Sequence, residues 1–203
     1  MKLYYMPGAC PLAPHIVLEW VGAEYETERL SHADLKTPDF LAINPMGAVP
    51  ALQVDGKVLT QNAGILAYLA EMFPDAQLEG DGSAMGKAQV YSWFGFVNSD
   101  IHAAYKPMFG ATGYLGDEAM VAKSHDNARK QLRAMFEIVD RQLQNGDWIA
   151  GQRSLADPYL YVMIRWADGT KVDLSGLEGI ARFRARMEAD DGVQRALAAQ
   201  GLA

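Results

Sequence analysis

The chain has 203 residues, of which 50% are hydrophobic and 21% are charged, and its formal net charge is −7. This composition excludes an intrinsically disordered polymer, and the acidic balance disfavours a nucleic-acid backbone or an anionic membrane as the main partner. A single cysteine excludes an intramolecular disulfide framework. The sequence shows no signal-peptide pattern and no apolar run long enough to span a bilayer, so we expect a cytoplasmic protein.

The first predicted strand and helix flank this cysteine. The residues before Met6 have a strand pattern, Pro7-Gly8 a turn pattern, and residues 14–20 predict a helix that tolerates proline in its first turn. Cys10 then lies ahead of a helix N-terminus, where the dipole can lower a thiol pKa from about 8.5 to roughly 3.5–7.5. The alternative is a small buried side chain, which is how a free cysteine usually behaves. This stretch alone supports both interpretations equally.

The next elements alternate between strand and helix. A strand after the first helix would pair in parallel with the first strand through a right-handed crossover. Thr37-Pro38-Asp39 is a helix-start signature, and Asp55-Gly56 suits a tight hairpin turn that needs positive φ. Pro74 closes the last helix of this part. The predicted elements occupy residues 25–30, 37–43, 49–54, 57–59 and 62–73.

The character of the sequence changes after Pro74. Residues 74–86 are rich in Asp, Gly, Pro and Ser, which is typical of a linker, and no strand pattern follows them. Ser154-Leu155-Ala156-Asp157 predicts a capping box. Helical periodicity recurs over residues 87–108, 117–143, 154–166, 177–187 and 193–197. We therefore predict an α/β domain at 1–78, a linker at 79–86 and an all-α domain at 87–203.

Four motifs spread over the chain point to a family. They are Met1-Lys2-Leu3-Tyr4-Tyr5 with Pro7-Gly8-Ala9-Cys10, Asn44-Pro45-x-Gly47-x-Val49-Pro50-Ala51-Leu52, Trp148-Ile149-x-Gly151-Gln152-Arg153, and Gly176-Leu177-Glu178-x-Ile180. With the two-part organisation, they resemble the cytosolic glutathione S-transferases, and within them the bacterial beta class. The resemblance implies a thioredoxin-like N-terminal domain followed by a helical-bundle C-terminal domain. It also implies a homodimer that uses glutathione as a co-substrate, without a further cofactor, and a small hydrophobic electrophile.

The resemblance implies which residues bind glutathione. Val49-Pro50 matches the segment where the family uses a cis peptide bond, which turns the backbone of Val49 towards the cysteinyl part of the ligand. A trans proline that begins an edge strand is the alternative. Gln61 and Asn62 would meet the γ-glutamyl end, although Asn62 also reads as a plain helix cap. The other implied contacts are Tyr5, Lys36 and, across the dimer, Asp100.

Tyr5, Lys36 and Asp100 each have an ordinary structural interpretation as well. Lys36 and Asp100 could be solvated surface charges. Tyr5 could be a packing residue, because Cys10 takes the role that a tyrosine hydroxyl has in other classes of the family.

His102 matches the beta-class histidine that faces the cysteine across the domain cleft. With an ordinary pKa of about 6.5, it would hold a thiolate as an ion pair or donate a proton near neutrality. The other three histidines, His15, His32 and His125, have no spacing suited to a metal, so we expect no metal site. An apolar co-substrate would lie between the domains, against four residues that could equally belong to the core: Met108, Phe109, Tyr114 and Trp166.

Two departures from the family pattern affect the prediction. Pro11 replaces the usual serine and removes a backbone N–H at the helix start, and the loop before Ser154 is one residue shorter than usual. Asn62 also matches the serine of the family's glutathione-binding pair in place but only partly in kind. The leading hypothesis is a detoxifying glutathione transferase that conjugates electrophiles or exchanges glutathione through a Cys10 mixed disulfide, with peroxidase side activity. The alternatives are a binding module of the same fold with little turnover, and a specialised glutathione-dependent isomerase or dehalogenase.

Overall fold

The computed structural model describes all residues from 1 to 203. Its N-terminal part is a four-stranded sheet in the order β2-β1-β3-β4. β1 (Lys2–Tyr5) pairs in parallel with β2 (Glu26–Arg29) and antiparallel with β3 (Ala51–Val54). β4 (Lys57–Thr60) completes the sheet as the antiparallel partner of β3. The predicted parallel pair and the predicted hairpin are both confirmed.

Local sequence signals fix the turns and helices around this sheet. Asp55 and Gly56, with φ of 47° and 77°, make the positive-φ turn between β3 and β4. Thr37 caps the second helix, because its Oγ1 accepts the backbone N–H of Phe40 at 3.3 Å. The peptide bond between Val49 and Pro50 is cis, as the resemblance implies. The helices of this part are α1 (Leu12–Trp20), α2 (Pro38–Ile43) and α3 (Asn62–Met72).

The rest of the chain is helical, as predicted, but its first long helix differs in detail. α4 (Ala84–Gly95) begins three residues before the predicted start, because Ser83 Oγ caps it by accepting the N–H of Gly86 at 2.9 Å. The helical run is interrupted twice. A π-helical segment covers Phe96–Ile101 and α5 (His102–Ala104) follows it, and a 3-10 turn over Lys106–Phe109, which contains Pro107, then ends the run. The remaining helices are α6 (Glu118–Leu143), α7 (Ala156–Thr170), α8 (Glu178–Ala189) and α9 (Asp191–Gln200).

One of the two reciprocal bonds of the predicted capping box forms at the start of α7, whereas Ser154 Oγ accepts the N–H of Ala156 instead of that of Asp157. Asp157 is fully buried, and its Oδ2 accepts both the backbone N–H and the hydroxyl of Ser154, at 2.7 and 2.9 Å. Its Oδ1 accepts the N–H of Ile149 at 3.0 Å, so this carboxylate also anchors the segment that precedes the helix. These contacts give Asp157 a structural role, as its place in a capping box predicts.

The sheet part and the helical part share one hydrophobic core. α1 packs against α3 of its own part and against α7 and α9 of the helical part. Buried side chains from Leu3 to Leu197 form one continuous apolar cluster through this contact. No helix combines the length and the apolar character needed to cross a membrane. The junction of the two parts is therefore a packed interface, and the loop before α1 lies at its edge.

Candidate active site

The loop that precedes α1 is held by the helical part of the chain. Gly8 has a φ of 71°, which favours glycine. Its N–H donates to Oε1 of Gln200 at 3.0 Å, and its carbonyl accepts Nε1–H of Trp166 at 2.8 Å. Both partners lie on C-terminal helices, α9 and α7. The position of the cysteine that ends this loop therefore depends on residues about 160 to 190 positions away in the sequence.

The surroundings of Cys10 favour its protonated thiol form. Cys10 lies just before α1, and its Sγ–H donates to the carbonyl of Val49 across 3.7 Å. Pro11 occupies the N-cap position and has no N–H to offer a thiolate. Burial raises the pKa of the Cys10 thiol to about 12. Cys10 is partly exposed and lines the cavity described below, so it is neither a core side chain nor, given the raised pKa, a ready thiolate: desolvation outweighs the helix dipole.

His102 follows the π-helical segment, and such segments are frequent at functional sites. Its Nδ1 lies 2.5 Å from the hydroxyl of Tyr159, and its ring meets the rings of Tyr159 and Trp166 edge-on. Burial lowers the pKa of His102 to about 4. Burial therefore favours the uncharged form of both groups near neutral pH, which disfavours the imidazolium–thiolate ion pair as one of the two roles expected of His102. A neutral imidazole can still accept a proton.

A cavity of about 640 Å³ opens beside Cys10. Three of the four predicted co-substrate residues, Met108, Phe109 and Trp166, line it together with Val49. Its volume falls in the range of about 300–1,000 Å³ that is usual for small-molecule sites. Tyr114 is the exception: its side chain is 83% exposed and is not part of the lining. The structure therefore does not bring Tyr114 together with the other three residues.

Several residues of this region were missed by sequence reasoning. His32, Arg165 and Thr170 also line the cavity, and the sequence offered no signal for His32. Tyr159, which contacts His102, lies seven residues before Trp166 on α7. That spacing places two side chains on one helix face, so the helical pattern around Trp166 could have identified it.

Two predicted glutathione contacts have other partners in the structure. The Tyr5 side chain is 5% exposed, and its hydroxyl donates to the carbonyl of Ala199 on α9 at 3.4 Å, so the structure favours the packing interpretation of Tyr5 over contact with the ligand. Its ring lies against the buried ring of His15. Asn62 is also buried, and its amide donates to the carbonyl of Cys10 at 3.1 Å rather than pointing outwards.

Three of the other predicted glutathione residues are exposed, whereas Pro50 is buried. Gln61 is exposed at the start of α3 and has an unusual positive φ of 66°. Lys36 is exposed, and its ammonium lies close over Gly47, near the Val49–Pro50 segment. Asp100 is exposed on the π-helical segment. No set of three or more His, Cys, Asp or Glu side chains is arranged to hold a metal ion.

Three features of this site together define a class of protein. They are a single cysteine thiol, a cis-proline turn next to it, and a helical domain packed against the sheet domain. Members of this class have a thioredoxin-like domain that presents one thiol centre to a cavity shared with an all-α domain. Family models agree with this description over most of the chain. The N-terminal domain of glutathione S-transferase matches residues 1–71, and its C-terminal domain matches residues 101–191. The chain therefore belongs to the glutathione S-transferase family.

Individual relatives match over the whole length. The chain is 49% identical over 203 residues to glutathione S-transferase GST-4.5 of Xanthomonas campestris pv. campestris, with both chains fully covered. A glutathione S-transferase structure from Xylella fastidiosa has a TM-score of 0.97 at 50% identity, covering 100% of this chain and 99% of that one.

Two further structures extend the comparison at lower identity, and both chains of each pair are fully covered. A sphingomonad glutathione S-transferase complexed with glutathione has a TM-score of 0.89 at 34% identity. A beta-class glutathione S-transferase of Sphingomonas chungbukensis has a TM-score of 0.89 at 33% identity. These neighbours confirm the resemblance that the sequence motifs indicated.

Proposed function

We propose that this protein is a glutathione transferase that acts on small hydrophobic electrophiles. The observation that supports this most directly is the position of Cys10, whose thiol meets the Val49 carbonyl at the mouth of an apolar cavity. Glutathione lies extended along the Val49–Pro50 segment, with its sulfur near Cys10 and its ends at Gln61 and Lys36. The sphingomonad relative, whose structure contains glutathione, supports this ligand. Met108, Phe109 and Trp166 form the apolar wall for the second substrate.

The protonation states favour conjugation over disulfide exchange at neutral pH. In conjugation, the glutathione thiolate attacks an electrophilic carbon, an S–C bond forms, and the leaving group departs with its electron pair. In exchange, the Cys10 thiolate attacks oxidised glutathione, a mixed disulfide forms, and glutathione thiolate leaves. With a pKa of about 12, the thiolate fraction of Cys10 near neutrality is on the order of 10⁻⁵. Cys10 therefore acts chiefly as a partner of the glutathione sulfur, and exchange is the slower, side activity.

Titration calorimetry with reduced glutathione, followed by turnover of 1-chloro-2,4-dinitrobenzene, tests this function. We expect saturable binding below millimolar concentration and release of chloride with formation of the aryl thioether. Absence of binding at millimolar glutathione would overturn the proposal. Binding without turnover of any electrophile would favour the binding module. Turnover confined to isomerisation or dehalogenation in a substrate screen would favour the specialised enzyme.

We also propose a cytoplasmic homodimer that packs through α4 and α6 and serves detoxification. Large apolar side chains are exposed on these helices, at Met85 on α4 and at Met120 and Ile138 on α6. Asp100 is exposed on the π-helical segment that follows α4, and in the proposed dimer it reaches the ligand amine of the second subunit. Light scattering is expected to give twice the chain mass of 22.2 kDa. A monomer would contradict the dimer and the role of Asp100, but not glutathione binding itself.

A further inference from the structure

The cavity beside Cys10 carries a positively charged side chain on the wall that α7 forms. Arg165 and Trp166 are neighbours on α7 and both line the cavity, together with Gly169 and Thr170 one turn further along the helix. None of the residues that line the cavity is acidic, although the whole chain has 25 Asp and Glu against 18 Lys and Arg. The charge of the cavity is therefore opposite in sign to that of the chain.

Most side-chain donors around the cavity already have an acceptor within the protein. Three of them donate to backbone carbonyls: the indole N–H of Trp166, the hydroxyl of Thr170 and the thiol of Cys10. Arg165 from the helical part and His32 from the sheet part also line the cavity, and His32 is exposed. These two side chains therefore supply the N–H groups that remain for a ligand.

The guanidinium group of Arg165 has one protein contact and keeps most of its donors. Its Nη1–H donates to the hydroxyl of Tyr161 at 3.2 Å, and its central carbon lies 5.7 Å from the centroid of that ring. Asp168, the nearest acid on α7, is paired elsewhere, because its two carboxylate oxygens accept from Arg184 at 3.0 and 2.8 Å. A guanidinium group has five N–H donors, so the charge of Arg165 is left without an anionic partner.

The space next to Arg165 is open to a ligand. Gly169 lies four residues later, on the same side of α7, and a methyl group built on it would meet no atom within 4 Å. Arg165 itself is half-buried, so its charge is less hydrated than that of an exposed arginine. A planar guanidinium binds a carboxylate through two parallel N–H···O bonds, which are roughly twice as strong as neutral ones. An anionic group therefore suits this wall better than a neutral group does.

We propose that Arg165 is a specificity-determining residue that binds an anionic group of the second substrate, so that the protein prefers an electrophile that bears a carboxylate. This inference rests on the proposed transferase function. The apolar part of the substrate lies against Met108, Phe109 and Trp166, and its carboxylate lies at Arg165. In the reaction the S–C bond to glutathione forms, the bond to the leaving group breaks, and the leaving group departs with its electron pair. The carboxylate itself is unchanged.

Two substrates with the same reacting carbon test this preference. In 4-chloro-3,5-dinitrobenzoate a carboxylate stands opposite the carbon that loses chloride, and in 4-chloro-3,5-dinitrobenzamide a neutral group of similar size takes its place. Each kcat/KM is divided by the rate constant of the uncatalysed reaction with glutathione, which removes the difference in intrinsic reactivity. By this ratio we expect the wild-type protein to favour the carboxylate about 10–100-fold, which is the usual contribution of a hydrogen bond to a charged group.

Two substitutions of Arg165 separate its charge from its shape. Arg165→Gln should remove the preference, because the amide can still donate to the Tyr161 hydroxyl but carries no charge. For this variant, kcat/KM for the benzamide and KM for glutathione should stay within about twofold of the wild-type values. Arg165→Lys keeps the charge without the planar fork, so it should retain part of the preference.

Arg186→Gln is the matched control. The guanidinium group of Arg186 also lies 5.7 Å from the centroid of an aromatic ring, that of Trp148, but Arg186 is on α8 and does not line the cavity. This variant removes the same charge from the chain and should leave the preference for the carboxylate unchanged.

The results distinguish this inference from the proposed function. A wild-type protein that turns over both substrates without favouring the carboxylate overturns the inference, and this result needs no variant. Equal losses of the preference in Arg165→Gln and Arg186→Gln overturn it as well. So does an Arg165→Gln variant that keeps the preference and raises KM for glutathione, because Arg165 would then bind glutathione. Failure of the transferase function would show instead as absent glutathione binding, or as absent turnover of both substrates.

Discussion

Replacing Cys10 with alanine is expected to abolish the mixed disulfide that forms with oxidised glutathione, because the chain has no other cysteine. In the wild-type protein, the rate of this exchange should rise about tenfold per pH unit between pH 7 and 10. The sign follows from the pKa of about 12: the thiolate is the reactive form, and its fraction grows with pH until the thiol titrates. Intact-mass measurements over time at several pH values check both statements.

Cys10→Ser is the control for this experiment, since it keeps a hydroxyl that can bond to the Val49 carbonyl but cannot form a disulfide. It should remain unmodified at every pH while it retains glutathione binding. A wild-type protein that is unmodified even at pH 10 would rule out the exchange chemistry. A rate that reaches its plateau near pH 7 would show that the thiol pKa is not raised, and would restore the thiolate interpretation.

Asp157→Ala is expected to lower the free energy of unfolding by about 2–6 kcal/mol. The substitution leaves the backbone N–H groups of Ile149 and Ser154 buried without acceptors, and each such group costs about 1–3 kcal/mol. Burial raises the pKa of Asp157 to about 6, so the comparison belongs at pH 7.5 or above, where the carboxylate is ionised. Urea unfolding followed by circular dichroism, at one fixed protein concentration, gives the difference.

Asp147→Ala is the matched control for this stability measurement. Asp147 is the same residue type on the surface, with a side chain 68% exposed and an ion pair to Arg186. Exposed ion pairs contribute about 0–1 kcal/mol, so this variant should unfold almost as the wild type does. If both substitutions lower the free energy of unfolding by the same amount, the buried carboxylate of Asp157 does not anchor the start of α7.

Local sequence signals predicted the elements whose geometry is itself local. Asp55-Gly56 can adopt the positive φ values of a tight turn, and Thr37 and Ser154 cap the helices that follow them. Each of these features depends on residues within about four positions, so the sequence is sufficient to find them. The π-helical segment at residues 96–101 was not predicted, because one extra residue in a turn barely changes the spacing of apolar side chains.

The composition and motifs of the sequence by themselves determined the two-part organisation and the family, and they predicted roles for Cys10 and His102. Only the tertiary structure decided the surroundings that shift their pKa values, because these come from segments far away in the chain, including Val49 and Trp166. The structure also shows that the tyrosine the sequence singled out is not the one that contacts the predicted site residues. Tyr5 is turned towards α9, whereas Tyr159 contacts His102. A pKa and a hydrogen-bond partner depend on which side chains surround a group in space, and neighbours in sequence do not specify that environment.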